Sequence, residues 1–149
     1  MNFKILIHSL FLIVVAVPLV TAQAPAPTEE QREVASEKLN AAIDASTRWL
    51  AIVDQRRYTD SWNEAAQLFK DRVPQNQWES SLKQVRSSYG KMLSREVSNV
   101  QYATYMPGAP IGEYAIIQFK TKFEDRDAIE TITPMLDNGT WRVSGYYIK

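Results

Sequence analysis

The sequence predicts an α+β domain in which three helices pack on a curved four-stranded antiparallel meander. Three observations predict it. Up to Gly90, apolar residues recur at three- and four-residue steps. Beyond Gly90 the period falls to two. Pro/Gly and Asx/Gly sequences then divide the rest of the chain into four strand-length segments. A run of helices followed by a run of strands gives segregated layers, with the helices on one sheet face. A sheet curved around a long helix would leave a cone, and the mouth of the cone is a candidate pocket.

Residues 1–22 read as an export leader, 23–28 as a Pro/Ala spacer and 29–149 as one folded domain. Thr28, with Glu29, Glu30 and Gln31 after it, reads as a capping box. The first helix then runs to about Val53, with Val34, Leu39, Ala42, Ile43, Trp49, Leu50 and Val53 as its apolar positions. Its polar start, EEQREVASEK, predicts tight packing only from Leu39 onward. Gln55–Thr59 is a predicted turn. A second helix, capped by Asp60 or Ser61, carries Trp62, Ala65, Ala66, Leu68 and Phe69 and stops before Pro74. A third helix begins near Pro74. Its face is Trp78, Leu82, Val85 and Tyr89, and Gly90 is the natural stop.

The first strand spans Ser94–Met106. Its alternation slips between Val97 and Val100, which predicts a bulge. After the loop MPGAPIG comes the clearest strand, Glu113–Phe123, with Ala115, Ile117, Phe119, Thr121 and Phe123 on the expected buried face. The third strand is Ala128–Leu136. Asn138-Gly139 suits a type I′ hairpin into the fourth, Trp141–Ile148.

Lys4, the apolar run Ile5–Val20 and Val20-Thr21-Ala22 have the layout of a secretory leader, so the mature chain is expected to begin at Gln23. The alternative is an uncleaved anchor. That needs about 20 apolar residues, and this run is shorter and has Pro18 near its end. His8, the one histidine, leaves with the leader, and there is no cysteine. The remaining chain therefore has no Ser-His-Asp triad, thiolate or imidazole base. Zinc and haem sites lose their usual ligands, so no cofactor and no metal are expected. No phosphate-binding glycine loop or EF-hand loop is present. Charges of both signs are interspersed and nearly balanced, with no basic stripe. Nucleic acid is not an expected partner, nor is stable membrane insertion once the leader is gone. An exported chain without cysteine leans toward a bacterial envelope protein.

Candidate binding residues are few. Trp62 and Trp78, with Trp49 and Trp141, would line a ligand pocket or else form the core, and core is the commoner fate of aromatics. Arg86 and Arg95 flank Gly90 and would clamp a carboxylate or phosphate. Alternatively they form a structural ion pair with a carboxylate such as Glu130. Glu130 is in phase with Ile132 and Leu136, which would make it an inward general acid or base. The opposite register turns Ile129 and Met135 inward, and that register is the favoured one. Asp125 and Asp127 are too few oxygens for calcium and read as a turn. Asn138-Gly139-Thr140 matches the glycosylation sequon and, in a bacterial protein, is a turn only.

The run WLAIVDQRRYTDSW, the segment MPGAP-GEY and the ending TPMLDNGTWRVSGYYIK together resemble the bacterial DUF4019 family, over roughly Ala45–Lys149. The resemblance implies an envelope protein of Gram-negative bacteria, with a layout similar to the NTF2-like or cystatin-like cone. It implies no catalytic residues. The leading expectation is a non-catalytic module that binds a small ligand or an envelope protein. The alternative is a small enzyme using Tyr, Arg and carboxylate groups in a cone-shaped pocket.

Overall fold

A computed structural model describes residues 26–149. The expected leader and the expected cleavage point before Gln23 lie outside the described residues. Four helices, α1 (Glu29–Asp54), α2 (Tyr58–Glu64), α3 (Gln67–Arg72) and α4 (Gln75–Arg86), precede four strands, β1 (Met92–Ala103), β2 (Tyr114–Phe123), β3 (Asp127–Asp137) and β4 (Thr140–Ile148). The strands form one antiparallel sheet in the order β1-β2-β3-β4. Among the described residues no helix is long and apolar enough to cross a membrane.

The N-terminus of α1 is held by the capping box: Gln31 N–H donates to Thr28 Oγ1 at 3.3 Å and Thr28 N–H to Gln31 Oε1 at 2.9 Å. The helix is exposed through Glu37 and buries only Ala42, Ser46, Trp49, Leu50 and Val53. Its packed half lies on the sheet face that carries Ala115, Ile117, Phe119, Ile132 and Val143. The opposite sheet face carries Lys120 and Lys122.

The predicted second helix is in fact two. Ala65 and Ala66 are extended, with ψ of 161° and 151°. Both are fully buried, and Ala66 N–H donates to Val143 O of β4 at 2.8 Å. That bond to the sheet outweighs two alanines' preference for helix. Asp137, at the far end of β3, caps the restarted helix by accepting from Gln67 N–H at 2.9 Å. The first of the pair starts at Tyr58 rather than after Asp60 or Ser61, and its N-cap, Arg57, makes no side-chain cap bond.

In α4 the buried face is Trp78, Leu82 and Arg86, spaced by four, so Arg86 takes the inner place that the sequence reading gave to Val85. Val85 is 38% exposed. The helix ends at Arg86, short of Gly90, and a turn follows. Gly90 has φ +73°, and a Cβ there would lie 2.8 Å from Asp125 Oδ2 and 2.9 Å from Glu124 Cβ. Only glycine fits this left-handed position beside the β2–β3 turn.

Strand β2 buries the five residues expected of it. The bulge in β1 falls between Val97 and Asn99. The β1–β2 ladder slips once more, between Met92 and Ser94, and Pro134 is accommodated in the interior strand β3 at an irregularity of the β3–β4 ladder between Thr133 and Pro134. Asn138 and Gly139 both have positive φ, +49° and +78°, as the type I′ turn requires.

Candidate functional site

At one end of the sheet, four charged side chains from four elements converge. Asp54 is the last residue of α1, Arg86 the last of α4, Arg95 lies on β1 and Glu130 on β3. Each arginine bridges both carboxylates. Arg86 Nη1 is 3.0 Å from Glu130 Oε1, and its Nη2 binds Asp54 Oδ1. Arg95 Nη1 and Nη2 grip Asp54 Oδ2 and Oδ1 at 2.7 and 3.0 Å, and Arg95 Nε donates to Glu130 Oε2 at 2.7 Å. Thr121 Oγ1 donates to Glu130 Oε2 at 2.6 Å and Tyr146 Oη to Oε1 at 2.8 Å. Glu130 therefore accepts from four side chains, the full capacity of a carboxylate.

Folding positions these groups for identifiable reasons. A cation at the end of α4 suits the helix dipole. Asp54, at the end of α1, opposes it and needs a compensating charge. Arg95 and Thr121 are cross-strand partners, so their side chains share one face. The ring of Phe123 backs Arg86, 4.6 Å from its guanidinium carbon.

The cluster pairs two arginines with two carboxylates and is almost wholly buried. Its side chains are 6% (Arg86), 8% (Arg95), 14% (Asp54) and 0% (Glu130) exposed. Burial works against the charge of Arg86, but Tyr146, Asp54 and Glu130 outweigh it and hold its pKa above the ordinary value. Burial likewise opposes Arg95, and Asp54 and Glu130 hold it up. Burial, followed by the neighbouring Glu130 carboxylate, pushes the Tyr146 phenol far above its usual range. Tyr146 is thus a neutral donor at physiological pH.

Glu130, and not Ile129 or Met135, points inward, together with Ala128, Ile132 and Pro134. The register favoured from sequence is overturned because four donors compensate the buried carboxylate. Arg86, Arg95 and Glu130, singled out from sequence, are brought together as an ion network. Asp54, Thr121 and Tyr146 complete it and were not singled out. Asp54 did leave a signal: an acidic residue directly after Val53, four residues after Leu50, on the packed stripe of α1.

The tryptophans lie elsewhere. Trp78 is 6% exposed, 5.8 Å from Trp49 and edge-on to Phe69 at 5.0 Å, with its indole N–H on Ser61 Oγ. Half-buried Trp62 donates to Val73 O at 2.7 Å. Trp78 is part of a filled core; the cleft between helices and sheet is packed with these rings and Tyr146. A concavity of about 720 Å³ is rimmed by Glu96, Lys120, Lys122, Asp127, Ile129 and Lys149. By strand alternation, Lys120 and Lys122 place it on the side of the sheet away from the helices. Lys120 there sits across the ladder from Glu96, and Lys122 from Asp127, so two of its three lysines face carboxylates.

A family model described as "Protein of unknown function (DUF4019)" matches residues 45–146. The chain belongs to the DUF4019 family. The match takes in every member of the ion network and leaves out the projecting start of α1. In this DUF4019 domain the family region therefore runs from the last ten residues of α1 through most of β4. No curated protein and no solved structure matches the chain.

Proposed function

We propose that this chain is a non-catalytic binding module of the bacterial envelope, exported by its leader, whose partner is a small ligand or another envelope protein. One observation supports it above the others: the groups able to do acid–base work are already consumed by one another. Glu130 is fully buried with four donors on it, and both arginines are engaged. A general base needs a free lone pair facing a substrate. A clamp for an anionic ligand needs a cation without a resident carboxylate. The network offers neither, which supports a structural role for it and leaves binding to the surface. An NTF2-like or cystatin-like cone is part of the same proposal, since a long helix laid across an antiparallel sheet is common to both; that likeness alone carries no function.

Purification from the host under native conditions, followed by mass spectrometry, tests the proposal. The chain should begin at Gln23 and release a ligand or partner that fresh protein leaves unchanged. A chain beginning at Met1 would overturn export. Conversion of the released compound to a product would overturn the non-catalytic reading.

A further inference from the structure

A second concavity, of about 300 Å³, lies between the C-terminal third of α1, the end of α2 and the start of β4. Trp49, Ile52 and Trp141 supply its apolar lining, and Arg48, Arg142 and Glu64 its charges. Its volume is at the lower end of small-molecule sites, about 300–1,000 Å³. Three features bear on what it would hold.

The first is the indole of Trp141. The N–H groups of Trp49, Trp62 and Trp78 all donate to protein oxygens, at 2.7, 2.7 and 3.0 Å. Among the described residues Trp141 has no such acceptor, and its indole N–H, a donor with no acceptor function of its own, is not buried away from solvent, so it is free to meet a ligand. The second is Arg48. It is exposed at the rim, and among the described residues no carboxylate lies within 4 Å of it. The third is Arg142. Its Nη1 rests on the backbone oxygen of Glu64 at 3.3 Å, while the Glu64 carboxylate is 3.7 Å away and 62% exposed. The guanidinium is thus oriented by backbone and only loosely engaged by a charge that solvent can take over.

The groove therefore presents two donors without a protein acceptor, Arg48 and the Trp141 indole, and a third, Arg142, held by Glu64, beside an aromatic and aliphatic wall. We propose that it binds a small organic carboxylate carrying a flat apolar group. The carboxylate lies between Arg48 and Arg142 within reach of the Trp141 indole N–H, and the apolar group rests against Trp141 and Ile52. Guanidinium and indole donors match carboxylate oxygens, and the arginines sit at the rim, where entering charge keeps part of its hydration. The proposal rests on the binding-module reading and gives it a site and a ligand class.

The test uses benzoate as the probe and benzamide as its neutral counterpart, followed by the indole N–H resonance of Trp141 in the full folded chain. That resonance is assigned by its loss in Trp141→Phe. Benzoate should shift it, with benzamide at least about tenfold weaker, because only the carboxylate makes charge-assisted bonds to both arginines. Arg48→Gln, at an exposed position, should leave the melting temperature unchanged and weaken benzoate binding by about tenfold or more. Silence of the Trp141 resonance at millimolar benzoate would overturn the site, as would equal binding of benzamide or an unaltered affinity in Arg48→Gln. If natively purified protein still releases a ligand in any of those cases, the binding-module reading survives and only its placement here fails.

Discussion

Glu130 shows how a residue that looks catalytic becomes structural. A lone buried carboxylate is costly, and its usual escape is to take up a proton. Here Arg86, Arg95, Thr121 and Tyr146 all donate to it, and Asp54 balances the second positive charge. Tyr146 gives this arrangement a pH signature. Its folded pKa is raised by burial and by Glu130, so its neutral form is favoured in the native state. Stability from this source is fully present below the unfolded tyrosine value of about 10 and is lost as pH rises beyond it. Tyr146→Phe should therefore flatten the fall of melting temperature above about pH 10. Equal profiles for Tyr146→Phe and the unaltered protein would remove Tyr146 from the network's energetics. Arg86 and Glu130 could be picked out from sequence because a charge within an apolar period calls for a partner. Their pairing with each other was legible as one alternative, but the inward face of β3 was not, because its alternation fitted either face and what decides it is donors on α4, β1, β2 and β4.

Element ends carry much of the specificity of this fold. α1 is fixed near both ends of its packed half, by Asp54 at one and by Lys38 on Glu113, 2.9 Å apart, at the other. The lysine, and secondarily Tyr102, hold the Glu113 carboxyl below its usual value against some desolvation. The strands of the sheet were largely legible, because period two, a parity slip and Asn-Gly are local signals. The break between α2 and α3 was not, since Ala65-Ala66 favours helix locally and is overruled by Val143, more than seventy residues away. Gly90 illustrates the same point. Its place after the α4 period predicts a helix stop, but its glycine is demanded by the β2–β3 turn that packs on it. Gly90→Ala should cost clearly more stability than Gly108→Ala, as read by chemical unfolding. Both positions have positive φ, +73° and +76°, but a Cβ at Gly108 meets nothing within 4 Å. Equal losses would mean that the turn yields and the contact is not specific.

Across the whole molecule, the helices and sheet are joined by two different means. One is the aromatic core of Trp49, Trp78, Phe69 and Tyr146; the other is the ion network at the sheet's end. The network is where structural and functional readings of this DUF4019 chain part company, and a double-mutant cycle on Arg86 and Glu130 decides between them. Arg86→Met leaves a net negative charge in the interior and Glu130→Met a net positive one. Each should cost about 3–5 kcal/mol, as when one member of a buried pair is removed. The double variant keeps the balanced Asp54–Arg95 pair, with its two bonds of 2.7 and 3.0 Å. It should therefore recover about 2 kcal/mol or more of the summed loss. Losses that add within about 0.5 kcal/mol would contradict the coupling, and single variants of unchanged stability that lose a natively retained ligand would contradict the structural account and return these residues to a binding site.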